Sequence, residues 1–240
     1  MSATTQNLSK TPLESLIEAE KKAIQLFSEI EKQNLIRKGK SEEELSQEIY
    51  ELANQLFGTT RHWHSRIVRA GINTLLPYYE NPPLLRLQED DILFLDLGPI
   101  FQEWEADLGR TYVIGNNPKK LKLKNDVESI WNECRNWYLE EVANNNEITG
   151  AQLYQKATEL ANQNGWEFGG EIAGHIVGQF PHENLSDEDK ALSIHPENHI
   201  SMQKKDKHGN PRNWILEIHL VDRELEIGGF YEQLLVGSYQ

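Results

Sequence analysis

An α+β fold built twice over is what the periodicities of this chain predict, and three observations carry that expectation. Two apolar stripes of helical period come first and a run of strand-like segments follows. After the break at Asn116-Asn117-Pro118 the same order returns, and both strand blocks hold carboxylates embedded among apolar residues. Helix, helix, sheet, repeated, fits two similar halves meeting face to face, although no repeat is visible residue by residue.

Residues 1–10 read as a disordered lead-in and residues 11–240 as a single domain. Leu13, Leu16, Ile17, Ala23, Ile24, Phe27 and Ile30 recur at helical spacing and predict one long amphipathic helix to about residue 36. Ser41 followed by Glu44 is a capping box, and Leu45, Ile49, Leu52, Ala53 and Leu56 form the stripe of a second helix ending at Gly58. Residues 61–70 then predict a strand, Asn81-Pro82-Pro83 a turn, and residues 91–97 and 105–114 the two arms of a hairpin. In the second half one helix carries Val127, Ile130, Trp131, Cys134, Trp137, Tyr138 and Val142, and another runs from Thr149 to near Gly165. Residues 166–180, 199–203, 213–221 and 229–237 read as a second sheet, with Lys204 to Asn210 as a solvated hairpin tip.

A net charge of −14, from 24 Lys+Arg against 38 Asp+Glu, supplies no basic face for nucleic acid or for an anionic membrane. The 38% of hydrophobic residues is enough for a real core. The opening S-A-T-T-Q-N is polar, and no run approaches the about 20 apolar residues of a bilayer span, so the expected location is the cytoplasm. The single cysteine, Cys134, cannot form an intramolecular disulfide and reads as core.

The stretch Asp90 to Gly115, D-D-I-L-F-L-D-L-G-P-I-F-Q-E-W-E-A-D-L-G-R-T-Y-V-I-G, places Asp96 and Asp107 inside apolar strands. Both lie equally far from the midpoint between Phe101 and Gln102, so a hairpin turning there sets them opposite each other on one face. Two carboxylates side by side in a core require a compensating cation, and a metal ion is the economical one. His175 in A-G-H-I-V-G, His182 in F-P-H-E, Glu217 in W-I-L-E-I-H-L and Glu232 in G-F-Y-E-Q-L-L-V occupy strand-like or glycine-bounded settings. Singly, each has an ordinary reading as an ion-paired or hydrogen-bonded residue. Together, two Asp, two Glu and a His form an oxygen-rich set with one imidazole, suited to a pair of divalent Mn, Fe, Co or Zn ions. Two such ions, about 3.5–4 Å apart, supply a hydroxide at neutral pH and polarise a carbonyl, as amide hydrolysis requires.

These residues resemble the pattern of the pita-bread metallopeptidases, the family of methionine aminopeptidase, aminopeptidase P, prolidase and the metal-free creatinase. The likeness spans about residues 61–237. It rests on R-A-G-I-N-T-L-L-P-Y-Y, the Asp96/Asp107 pair followed by Arg110 and Thr111, the G-H-x-x-G and H-E segments, and the two late glutamates in order. The separations 107 − 96 = 11 and 182 − 175 = 7 also suit the family. The resemblance implies two halves forming one curved antiparallel sheet with helices on its outer face. It implies Asp96, Asp107, His175, Glu217 and Glu232 as ligands of two divalent ions, with Asp107 and Glu232 bridging. His182 would hydrogen-bond the tetrahedral intermediate, and Glu217 would also shuttle a proton. The activity implied is that of an aminopeptidase on peptides. D-L-G-R-T and A-G-x-N-T look more like the Xaa-Pro group, while the short region before the first strand resembles methionine aminopeptidase. An oligomer is left open.

The departures carry their own expectations. Tyr78 stands where the family usually has the histidine that contacts the scissile amide; a phenol of pKa about 10 donates a hydrogen bond but carries protons poorly at pH 7. Tyr78 therefore joins His182 and Glu217 as a candidate catalytic residue. It also motivates the rival reading, a binding module of the same fold with weak or no turnover. Ile176 replaces a glycine that usually follows the ligand histidine, and Ile218 a proline that usually follows the glutamate. His219, two residues past Glu217, faces the same side of a strand and is either a site residue or a structural histidine. Arg110 is expected to pair with an acid near the metals, Trp104 and Trp214 read as core, and His62, His64, His195, His199 and His208 show no ligand-like arrangement. A creatinase-like hydrolase without metal would leave four carboxylates uncompensated, at high cost.

Overall fold

The computed structural model describes residues 10–182 and 190–237, so the expected lead-in, apart from Lys10, and Glu183 lie outside the described residues. Helix α1 (Pro12–Lys32) starts at a capping box of Thr11 and Glu14 with Pro12 in its first turn. Helix α2 (Glu42–Phe57) uses the expected Ser41/Glu44 box and stops at Gly58, whose left-handed backbone a glycine adopts without strain. In the second half α3 (Pro118–Ala143) is capped by Asn117, and α4 (Gly150–Gln163) by a box of Thr149 and Gln152.

The strands are β1 (Ile67–Ala70), β2 (Ile92–Leu97), β3 (Ile100–Phe101), β4 (Trp104–Glu105), β5 (Leu108–Val113), β6 (Glu167–Phe168), β7 (Ile176–Val177), β8 (Asn213–Asp222) and β9 (Ile227–Leu234). The sheet runs β1-β2-β5-β9-β8-β6, with β7 added beside β8 and β3–β4 forming a separate small hairpin. Its pairings are antiparallel, and the β5–β9 contact joins the two halves into the one antiparallel sheet that the family resemblance implied, where the strand pattern alone read a second sheet.

Strand is shorter than expected in three places. Residues 61–70 give only β1, and 166–180 only β6 and β7. Between those two strands the backbone is pressed against its neighbours: a Cβ at Gly174, where φ is 132°, would lie 2.0 Å from the Ile215 carbonyl oxygen. Residues 199–203 contribute just a bridge from Ser201 to Thr149, because the Asn198 side chain bonds Ile200 N and Ser193 O and offers that backbone a local alternative.

Alternation along the strands decides which face is core. Leu93, Leu95 and Leu97 pack under α1 and α2, while Leu216, Ile218 and Leu220 pack under α3 and α4 with the buried Cys134. The intervening Phe94, Asp96, Glu217, His219, Phe230 and Glu232 line a cavity of about 490 Å³ on the opposite face. Trp214 is buried as expected, its indole N–H on Met202 O at 3.0 Å. No helix among the described residues is long and apolar enough to cross a membrane.

Candidate metal centre

Strand register assembles the centre. Asp96 pairs with Gly109, Gly109 with Glu232 and Glu232 with Glu217, so one row across β2, β5, β9 and β8 carries three carboxylates and a glycine. A Cβ at Gly109 would lie 2.5 Å from the Phe230 ring and 2.9 Å from Glu232 Cβ, so the gap must stay free of a side chain. Asp107, two residues before Gly109, projects from the same face.

The expected direct facing of Asp96 and Asp107 is corrected by this register. The hairpin turns on Gln102 and Glu103, both with positive φ (50° and 70°), and pairs Phe101 with Trp104. A two-residue turn of that hand matches the twist of the strands, and it moves the midpoint to (96 + 109)/2 = 102.5. Asp107 is therefore diagonal to Asp96, on the shared face.

Two histidines close on the carboxylates. His175 Nε2 lies 3.1 Å from Asp107 Oδ2 and 3.5 Å from Glu217 Oε1, and its Nδ1 bonds Ile176 O at 2.6 Å. His64, dismissed on sequence grounds, places Nε2 3.4 Å from Asp96 Oδ1 and 3.3 Å from Asp107 Oδ1 while Nδ1 bonds Ser65 O at 2.7 Å. Two groups that could hold a metal ion result among the described residues, His64/Asp96/Asp107 and Asp107/His175/Glu232, and they share Asp107. No local signal marked His64; its room is made by Gly98, where a Cβ would lie 2.3 Å from the His64 ring and 2.4 Å from Trp63 Nε1.

The electrostatics fit bound divalent metal. Burial raises the carboxyl of Asp96 to about 6 and that of Glu217 to about 7, and lifts Glu232 well above the usual range, with the neighbouring carboxylates adding to each. Burial acts in the same direction on Asp107, but hydrogen bonds from His175 and His64 reverse it and hold the group low. Burial disfavours charge on the two imidazoles as well, yet the adjacent carboxylates bring both to about 9. Four carboxyl groups here cannot all ionise without added positive charge. Glu232 Oε2 is buried with no hydrogen-bond partner, Asp107 Oδ2 meets only the His175 ring at 3.1 Å, and one oxygen-rich set with two imidazoles is a donor set for divalent transition metals.

The other candidates surround this cluster. His182 is held through Nδ1 by Glu105 Oε2 at 2.7 Å, and its ring lies nearly parallel to that of His175 at 6.2 Å. Glu105, which the sequence reading missed, is 1% exposed and also accepts from Gly178 N and His182 N. Its signal was the alternation W-E-A-D, which sets it two residues before Asp107. Tyr78 lines the cavity at its rim, 68% exposed, with its ring against Tyr79. His219 lines the cavity wall and is also tied down, its Nε2 on Thr74 O at 2.8 Å. Arg110 does not find the expected carboxylate: it donates to the Glu232 carbonyl at 2.9 Å and to the Gln233 amide oxygen, and stacks over Tyr231. His195, not grouped with the site beforehand, lines the cavity as well.

A sequence model of metallopeptidase family M24 matches residues 14–207, which takes in both aspartates and His175 and stops short of Glu217 and Glu232. An Xaa-Pro dipeptidase of Pyrococcus horikoshii is 26% identical over 149 residues, covering 62% of this chain and 40% of that protein. The prolidase structure from the same organism superposes with a TM-score of 0.71 at 18% identity, over 94% of this chain and 59% of the other. The chain thus spans under two thirds of the length of either. A methionine aminopeptidase structure from Thermotoga maritima gives a TM-score of 0.68 at 15% identity, over 95% of this chain and 98% of the other. The fold is the pita-bread fold of these enzymes.

Proposed function

The chain belongs to metallopeptidase family M24, and on that premise we propose that it is an aminopeptidase using two divalent ions (Mn, Co, Fe or Zn) to remove an N-terminal residue from peptides. Residues 11–240 act as one catalytic domain, and substrates of Xaa-Pro type are preferred over those of methionine type. The observation carrying this reading is the convergence of Asp96, Asp107, His175, Glu217 and Glu232 on one cavity, with an orphaned oxygen on Glu232, one of the two carboxylates assigned as bridging. The curated relative that the chain matches is an Xaa-Pro dipeptidase, which favours the Xaa-Pro preference.

Asp96, Asp107, His175, Glu217 and Glu232 would hold the ions. When bound, the ions supply Lewis acidity to the scissile carbonyl and a nucleophile at neutral pH. His182, oriented by Glu105 through Nδ1, donates a hydrogen bond from Nε2 in its doubly protonated form to the developing oxyanion of the peptide. Glu217, whose side chain is more exposed to the cavity than Asp96 or Asp107, takes the proton from the nucleophile and returns it to the leaving amine. Tyr78 at the rim offers a phenolic hydrogen bond to the substrate amide.

One observation favours a second reading. Tyr78 is largely solvent-exposed where the family has its substrate-contacting histidine, which suits a metal- or protein-binding module with weak or no turnover. Metal analysis of the purified protein, combined with a screen of Met-Xaa and Xaa-Pro peptides under each restored ion, tests both. Two ions per chain with release of N-terminal residues from Xaa-Pro peptides is the expected result. Binding without hydrolysis supports the second reading, and absence of any metal binding under saturating Mn, Co and Zn rejects both.

A further inference from the structure

We propose that His64 is a sixth metal ligand, binding through Nε2 the ion held by Asp96 and Asp107, so that each ion of the pair has its own imidazole. This rests on the dinuclear reading above. The two histidines are mounted alike. Each Nδ1 bonds the carbonyl of the next residue, Ser65 for His64 and Ile176 for His175, so that a ring which gives up its Nε2 proton to an ion keeps the other on Nδ1 and presents the Nε2 lone pair. Each Nε2 then faces Asp107, His64 toward Oδ1 and His175 toward Oδ2.

The separations are longer than those of a tight ion pair and suit a shared ion. A charge-assisted N–H···O bond is about 2.7–2.9 Å long. His64 Nε2 stands 3.4 Å from Asp96 Oδ1 and 3.3 Å from Asp107 Oδ1. Two ligands each about 2.1 Å from one ion lie about 3.0–3.4 Å apart across octahedral or tetrahedral angles. The His64 separations match that chord, with both carboxylates at once.

The surroundings hold the ring there. Trp63 packs edge-on to His64 at 4.4 Å and to His175 and His182 at 5.1 and 5.2 Å, so one indole braces all three imidazoles. Gly98, where a Cβ would collide with both Trp63 and His64, leaves the space they occupy. His64 reaches the centre from the segment before β1, a different direction from Tyr78, which stays at the rim. Nitrogen in place of oxygen shifts the Asp96/Asp107 ion toward Co, Ni or Zn and away from Mn.

The test is titration calorimetry of the chelator-stripped full chain with Co(II) and with Mn(II), and the visible spectrum of bound Co(II). Wild type, His64→Ala and His64→Gln are compared, with circular dichroism melts to establish that each variant is folded. Loss of outer-shell partners alone weakens metal binding about 10–100-fold, so loss of a direct ligand should weaken one of two Co(II) sites by at least about tenfold. The other site should be unchanged, the Co(II) bands should alter, and the effect on Mn(II) should be smaller. Wild type binding two ions and folded His64→Gln binding both with unchanged affinity would overturn this inference alone. Wild type binding no ion would overturn the dinuclear reading with it.

Discussion

Removing the Glu105 carboxylate tests whether His182 is a positioned transition-state group or an incidental neighbour. Glu105 is 1% exposed and accepts three hydrogen bonds, from Gly178 N at 3.1 Å, His182 N at 3.2 Å and His182 Nδ1 at 2.7 Å. All three partners are donors. In Glu105→Gln the amide has one accepting oxygen, and its NH2 must face a donor, so at least one bond is lost and a buried group is left unpaired. That costs about 1–3 kcal/mol. For a domain of this size each kcal/mol lowers Tm by about 2–4 °C, so a loss of about 2 kcal/mol appears as about 4–8 °C. Glu105→Ala removes all three bonds and should cost about 3–5 kcal/mol. Neither side-chain oxygen of Glu105 belongs to the two groups that could hold a metal ion, so metal content should hold. Turnover should fall about 100-fold or more as His182 loses its orientation, with kcat affected more than KM. Differential scanning calorimetry, metal analysis and peptide hydrolysis on the same preparations decide the matter. An unchanged Tm in Glu105→Gln, or full activity at full metal occupancy, would refute the reasoning.

Gly109→Ala places a methyl 2.5 Å from the Phe230 ring and should destabilise by about 1–3 kcal/mol through overpacking; because Glu232 Cβ is 2.9 Å away, metal affinity should fall too, as calorimetry would show. For Tyr78, if a hydrogen bond to the substrate amide is what matters, Tyr78→Phe should be slower than wild type and Tyr78→His no more than modestly faster. If a proton carrier is needed, wild type should be nearly inert and Tyr78→His should gain about 10²–10⁴-fold at matched metal occupancy, while equal rates in all three would remove Tyr78 from the site. Burial raises the Cys134 thiol from 9 to about 12, so the unfolded chain releases this proton first as pH rises. Stability should then fall between those pH values by about 1.4 kcal/mol per unit from this group, and Cys134→Ala should show a shallower decline in denaturant melts over the same range.

What the sequence determined is what local chemistry encodes. The Ser41/Glu44 box and Gly58 mark the limits of α2, and alternation sorts Leu93, Leu95 and Leu97 from Phe94 and Asp96, because a cap and a period of two or 3.6 act over a few residues. For the same reason the carboxylates and His175 were legible as charges in apolar settings, and the family pattern connected them. Tertiary structure decided how those segments meet. The register that rows Asp96, Gly109, Glu232 and Glu217 depends on a two-residue turn at Gln102-Glu103 and on the β5–β9 pairing, 123 residues apart (232 − 109), and neither is a local preference of any one segment. His64 was not recognisable, and W-E-A-D set Glu105 near Asp107 without showing its role, for the same physical reason. Their partners lie across the sheet or across the chain, and what makes room for the His64 ring is the missing side chain of Gly98, whose effect exists only once β2 lies beside the segment before β1.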